Sequence, residues 1–252
     1  MIYKRVAARL RAQDWLAITI ELGIVILGVF IGTWVANWNQ ERAAERDTNT
    51  LLVQLGPEML AQKRAIEAAR KYFATTQRYA ETAFAGWRGD PTVSDSDFVI
   101  GAYQASQAAG MDSNGQSWTT IFGGEQLRRI DDPAIRGPLQ RLMTFEYSIL
   151  SYRMVLTRYR DDVRLIIPND VQQQIRNACD DRLDSSGLTL SLPATCRIDI
   201  PSAAQVAATL RAHPELVAEL AQHEGAVATQ LTNLGLFEAQ VDALGKGIRR
   251  LG

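Results

Sequence analysis

The sequence predicts an all-α protein: one N-terminal transmembrane helix followed by an extracytoplasmic antiparallel helical bundle. Three observations carry that expectation. An apolar run of membrane length stands near the start, seven-residue apolar repeats fill much of the rest, and helix start signals punctuate the chain. Composition agrees and excludes several other classes. The 252 residues can bury a core, and 46% hydrophobic against 22% charged residues excludes wholesale disorder. Lys plus Arg number 27 against 28 Asp plus Glu, so a net charge of −1 gives no electrostatic reason to bind nucleic acid. Cys 2 and His 2 exclude a disulfide-rich scaffold and leave little material for a metal or triad site.

Residues 1–14 come first, as a basic cytoplasmic segment. Ile2, Val6 and Leu10 share one side among Lys4, Arg5, Arg9 and Arg11, the pattern of a short interfacial helix. The transmembrane helix follows over 15–37. From Trp15 to Ala36 the chain reads WLAITIELGIVILGVFIGTWVA, with Glu21 as its one ionisable group. Such a helix rises about 33 Å, matching a hydrocarbon core of roughly 30 Å. Trp15 at one end, and Trp34 and Trp38 at the other, supply the aromatic anchors of a membrane interface.

After the span only Arg42 and Arg46 are basic nearby, so the excess of cations keeps the N-terminus in the cytoplasm. Residues 38–252 then form a periplasmic helical domain. A cleaved signal peptide is the competing reading. The apolar run exceeds the roughly 7–15 residues of a signal core, and Trp34 stands where a small residue would be needed for cleavage. The lipid bilayer is therefore the first expected partner, and no second apolar run of this length follows.

Within the span, Glu21, Gly28 and Gly32 fall on one helix face and Ala36 continues it. Gly28-Val-Phe-Ile-Gly32 is a GxxxG step, which lets a second helix approach closely. A carboxylate in hydrocarbon costs on the order of 2.5–3.5 kcal/mol on insertion scales, which favours finding a partner. The face suits an integral membrane protein partner or a homodimer. The alternative is a neutralised or locally hydrated Glu21 beside glycines that are simply frequent in membrane helices.

The stretch Glu21-Leu-Gly-Ile-Val-Ile-Leu-Gly28, followed by Val35-Ala-Asn37-Trp38-Asn39-Gln40, resembles a family of uncharacterised bacterial single-pass inner-membrane proteins. That family opens its apolar helix with Gly-Glu, places a glycine seven residues after the Glu, and closes with Asn-Trp-Asn-Glu. Ile20 replaces its Gly and Gln40 its final Glu. A looser match runs from Trp118 to Leu142, where Gly124, Leu127, Ile130 and Asp131 or Asp132 fill the family's slots. The resemblance implies an inner-membrane anchor with an external helical domain. The family has no assigned activity, so it carries over no catalytic residue.

The external domain shows its period directly. Leu52, Met59, Ile66, Phe73, Ala80 and Trp87 recur every seven residues, with Leu55, Ala69 and Ala83 at the other seam position. Leu142, Ile149, Leu156 and Val163 form a second series, accompanied by Phe145, Tyr152, Tyr159 and Ile166. Leu220, Val227, Leu234, Val241 and Ile248 form a third, with Phe237, Leu244 and Leu251. Gly56-Pro57 predicts a break or kink in the first helix. Ser94 opens a helix over Asp95 to Ala109, Gly110 to Gly124 reads as a loop, and Asp132-Pro133 and His213-Pro214 are start signals. Leu188, Leu190 and Leu192 alternate within 185–201, which predicts a short strand or extended loop, with a small hairpin near 186–200.

Cys179 and Cys196 bracket that irregular stretch. In an oxidising periplasm they can close a loop of about 17 residues and contribute roughly 3 kcal/mol. Two buried free thiols are the alternative.

Few residues point to chemistry. His223 sits at a seam position one heptad before Gln230, where a satisfied core histidine fits better than a ligand. His213 fits a capping or solvent-facing role. The pairs Asp131-Asp132, Asp161-Asp162 and Asp180-Asp181 lack the spacing of a calcium loop, and Arg88-Gly89-Asp90 reads as a turn before Pro91. No GxSxG, P-loop, HExxH or dinucleotide fingerprint occurs. Arg153, Arg158, Arg160 and Arg164 lie near Tyr152 and Tyr159, as a solvated flank or as a face for an anionic partner. The expectation is no catalytic, cofactor-binding or metal residue. It is a non-catalytic accessory or assembly subunit of an inner-membrane complex, the alternative being a periplasmic sensory or small-ligand-binding module.

Overall fold

The computed structural model describes residues 15–111, 117–183 and 189–251. The basic segment 1–14 and Leu188 lie outside them. The chain divides into two compact units, 1–51 and 52–252. Among the described residues it is mostly helical, with one antiparallel pair of very short strands.

The first unit is described from Trp15 as one helix, the opening part of α1 (Trp15–Trp87). It is long and apolar enough to cross a membrane, and its apolar side chains are exposed, Phe30 at 71% and Ile24 at 63%. Its hydroxyls are satisfied internally. Thr19 donates to the Trp15 carbonyl at 2.6 Å, and Thr33 to those of Val29 at 2.9 Å and Phe30 at 3.0 Å. Closing these hydroxyls on their own helix lowers the cost of apolar surroundings.

The second unit is built around α1 from Leu52 onward and α9 (Glu215–Ile248). Every position of the first apolar series up to Ala83 is buried, and so are Leu220, Val227, Leu234, Phe237, Val241, Leu244 and Ile248. The two helices run antiparallel, as Lys63–Asp242 at 3.0 Å and Arg70–Glu238 at 2.9 Å require. These ion pairs are largely exposed and hold register more than stability. The seam supplies the energy, at roughly 1.5–3 kcal/mol for each large apolar side chain fully buried.

That seam also corrects one half of an expectation, the break at Gly56-Pro57. Pro57 neither stops nor divides α1, which continues through it. The missing N–H is a local loss of about 3 kcal/mol, set against the burial of Leu52, Leu55 and Met59 on either side.

Gly89, at φ 71°, turns the chain out of α1; Asp90 N–H reaches back to the Ala85 carbonyl and the Asp90 side chain holds Thr92. Arg88-Gly89-Asp90 is thus a turn, as expected. Ser94 then caps α2 (Asp95–Ala105), accepting from the Asp97 N–H at 3.0 Å. The helix stops four residues before the expected end. The Ser106 hydroxyl bonds the Tyr103 carbonyl at 2.6 Å, closing the last turn on itself.

The expected loop from Gly110 to Gly124 contains α3 (Ser117–Ile121), whose Trp118 is wholly buried; 112–116 lie outside the described residues. A short α4 (Glu125–Arg128) precedes α5 (Pro133–Met143), which Asp132 caps by accepting from the Ala134 N–H at 2.8 Å.

The second apolar series is not one helix. After α5 come two single 3₁₀ turns, Tyr147–Leu150 and Tyr152–Val155, before α6 (Arg158–Ile166). Glu146 accepts from the Ser148 N–H and Ser151 from the Arg153 N–H, so capping side chains divert the backbone twice. Leu142 and Val163 are buried as the period predicts, but Leu156 is exposed.

Pro168 precedes α7 (Asn169–Cys179). The strands that follow, β1 (Arg182–Leu183) and β2 (Leu190–Ser191), pair Arg182 with Ser191 and Leu183 with Leu190. The first strand therefore starts upstream of the expected 186–200. The Cys179–Cys196 disulfide ties α7 to the segment beyond β2, with Cα atoms 5.6 Å apart. Finally α8 (Ala203–Arg211) packs beside α2, where Arg211 pairs with Asp95, and meets the end of α1, where Trp87 donates to the Leu210 carbonyl at 3.1 Å.

Candidate functional site

Two regions can meet something outside the chain. In the first unit, a Cβ built on Gly28 or Gly32 meets nothing within 4 Å, so no described part of the chain covers the expected face. Glu21 and Ala36 are exposed on the same face. The ridge is flat at Gly28 and Gly32, which have no side chain, and Glu21 adds one carboxylate about two turns away. On another side of the helix, Trp34 and Trp38 stack at 6.4 Å between ring centroids, and the Arg42 guanidinium lies 3.9 Å from the Trp38 ring centre. An aromatic pair ending in a cation at i, i+4 spacing is suited to a headgroup boundary. Trp15, 76% exposed, stands at the opposite end of the apolar stretch.

In the second unit the polar interior gathers at the C-terminus of α2. Gln104, Ser106 and Gln107 are buried there. Arg160 donates to the Ser106 carbonyl. Arg164 donates to the Ser106 hydroxyl at 3.1 Å and to Gln107 Oε1 at 3.0 Å, and lies 4.7 Å from the Tyr103 ring centre. Arg176 donates to the Tyr103 hydroxyl at 3.2 Å and to Gln172 Oε1 at 3.5 Å. Burial holds the Arg164 pKa below its ordinary range, and the charges of Arg160 and Arg176 push it the same way.

The acidic pair is close by but turned elsewhere. Asp180 accepts from Gln107, and Asp181 accepts from the Tyr72 hydroxyl at 3.2 Å. Burial, then the neighbouring Asp180, raises the Asp181 carboxyl above the usual carboxylate range. The expected arginine face thus splits. Arg153 stays exposed and Arg158 pairs with Asp162 at 2.8 Å and Glu219 at 3.4 Å, whereas Arg160 and Arg164 turn inward.

No family model, curated protein or solved structure matches this chain.

His223 lies fully inside. Its Nδ1 is 2.9 Å from the Thr157 hydroxyl, while Nε2 has no hydrogen-bond partner. Burial lowers its pKa to about 4; the Ala105 carbonyl pulls the other way without making a proper hydrogen bond to Nε2. The expected satisfied histidine is therefore satisfied on one side only. Gln230, one heptad on, donates to the Leu150 carbonyl at 2.9 Å and leaves Oε1 unpaired. His213 meets Glu215 at 2.8 Å at the start of α9.

A shallow cleft of about 320 Å³ beside Cys196 is lined by Tyr79, Thr82, Asp97 and Arg197 among others. Several of its polar groups are engaged, Tyr79 with the Pro193 carbonyl and Asp97 with Ser94. Among the described residues, no three His, Cys, Asp or Glu side chains gather to hold a metal ion. Sequence reasoning missed Arg176, Ser106 and Gln107, since α7 and the end of α2 are joined only by the tertiary fold.

Proposed function

We propose that the protein is a non-catalytic inner-membrane subunit: α1 anchors it, and the open Glu21–Gly28–Gly32–Ala36 face receives a helix of another integral membrane protein. In this reading the N-terminus is cytoplasmic and the second unit is periplasmic, where the Cys179–Cys196 bridge would persist. Membership of the anchored family named above is part of the same proposal. The observation that carries it is the uncovered small-residue ridge bearing a carboxylate in an otherwise apolar stretch.

The test replaces Gly28 and Gly32 together with leucine and measures what co-purifies or crosslinks in mild detergent. Association should fall, because leucine separates the backbones while lipid already solvates leucine as well as a partner does. Ile26→Leu, on the opposite side, should change nothing. Association unchanged in the double variant would leave α1 a plain anchor. A second copy captured instead of another protein would make the partner a homodimer. The sensory reading has one observation in its favour, the arginines at the α2 terminus.

A further inference from the structure

Arg160, Arg164 and Arg176 reach the same few residues from two helices. Arg160 and Arg164 share Ser106, and Arg164 and Arg176 share Tyr103. Every acceptor described for them is neutral, and among the described residues none of the three forms an ion pair with a carboxylate. All three are half-buried, so water screens them only in part.

Three clustered like charges with no described carboxylate in direct contact are unfavourable. Capping α2 does not account for them, since a helix C-terminus carries about half a negative charge and one cation answers it. Asp180 and Asp181 are nearby but bonded to Gln107 and Tyr72, so their charge acts at a distance and not through direct pairing. Each guanidinium also makes at most two hydrogen bonds to the described residues, fewer than its five N–H donors allow, and each is half-buried and not sealed from solvent. Fork-shaped donors with spare N–H groups, held in place by neutral side chains, match an oxyanion of high charge density.

We infer that Arg160, Arg164 and Arg176 bind a small phosphate-type oxyanion, either inorganic phosphate or a phosphate monoester. Phosphate places negative charge in direct contact with the guanidiniums and offers enough acceptor oxygens to engage all three forks. Ser106 and Gln107 set the two α6 guanidiniums, and Tyr103 orients Arg176 toward them. This site lies in the second unit and is independent of the α1 face, so either reading can fail without the other.

The experiment titrates inorganic phosphate into the full chain in a neutral detergent, against sodium chloride at matched ionic strength, following heat by calorimetry and the unfolding temperature. Saturable binding to one site, with a rise in unfolding temperature that chloride does not reproduce, is expected. Arg176→Gln should weaken it about tenfold or more, as removal of one charged hydrogen-bond donor implies. Arg176 is the variant of choice because its loss leaves the Ser106 and Gln107 bonds intact. Arg176→Lys should recover part of the affinity, and an unchanged circular dichroism spectrum checks that the fold survives. Vesicles of phosphatidylcholine with phosphatidylglycerol form the second arm. No saturable phosphate response, an affinity untouched by Arg176→Gln, or binding to the anionic vesicles alone would each overturn the proposal.

Discussion

His223 makes the stability of the helical unit depend on acidity in a direction that can be worked out. The imidazole is 0% exposed and its pKa falls from 6.5 to about 4 because burial penalises the charged form. In the unfolded chain the same group takes up a proton near its ordinary value. Above pH 6.5 neither state is charged and nothing is lost. As the pH falls from 6.5 to 4 the unfolded state binds the proton and the folded state does not, so stability falls. At about 1.36 kcal/mol for each pKa unit the loss reaches about 3 kcal/mol near pH 4, and about 1 kcal/mol at pH 5.5.

Other groups oppose it. Asp181, Glu219 and Glu224 have raised carboxyl pKa values, and they gain stability as they protonate. The informative quantity is therefore a difference between two proteins. His223→Gln can keep the Thr157 contact and cannot titrate. Urea unfolding of the full chain in mild detergent, read by circular dichroism at pH 7, 5.5 and 4, gives both stabilities. The wild type should lose about 3 kcal/mol relative to the variant between pH 7 and 4. Parallel curves would falsify the assignment and place His223 in contact with water or an acid that the structure does not give it.

Reducing Cys179–Cys196, or replacing both by serine, should lower stability by about 3 kcal/mol, seen as an unfolding temperature lower by roughly 6–12 °C. Thiol labelling of the denatured, unreduced protein should find no free cysteine if the bridge forms in the cell. Gly110→Ala should be among the most damaging small substitutions, since its Cβ would stand 2.2 Å from the Tyr152 backbone nitrogen; a denaturation midpoint within error of wild type would refute that packing. A reporter active only in the periplasm, fused after Gly252, should be active, and activity confined to a cytoplasmic reporter would reverse the orientation.

The apolar seams were readable because a seven-residue period survives wherever two long helices share an interface. Ile66, Phe73, Val227 and Leu234 are all buried on that count alone. Ser94 and Asp132 were readable because capping needs only a side-chain oxygen at a fixed spacing from the next turn. The break between Met143 and Arg158 was not. There the period continues in the sequence, but Glu146 and Ser151 give the backbone closer hydrogen-bond partners than another helical turn would. Pro57 signalled a break that does not occur, its local penalty being smaller than the seam around it. The arginines were noticed as a group, but which of them turn inward depends on where α2 ends. That point is set by the Ser106 hydroxyl and is invisible to periodicity. The half-satisfied state of His223 depends on what lies opposite Nε2, which no local pattern encodes.

The antiparallel pairing of α1 with α9 has a consequence for biosynthesis. Lys63 and Asp242 are 179 residues apart in the chain, and α9 follows every other described element. At about 5–20 residues per second, roughly ten to forty seconds of translation separate the two sides of the seam. During that interval Ile66, Phe73 and Ala80 have been made and their covering helix has not. The nascent chain must therefore wait with an uncovered apolar stripe, and chaperone dependence should end with the arrival of α9 rather than with the completion of α1.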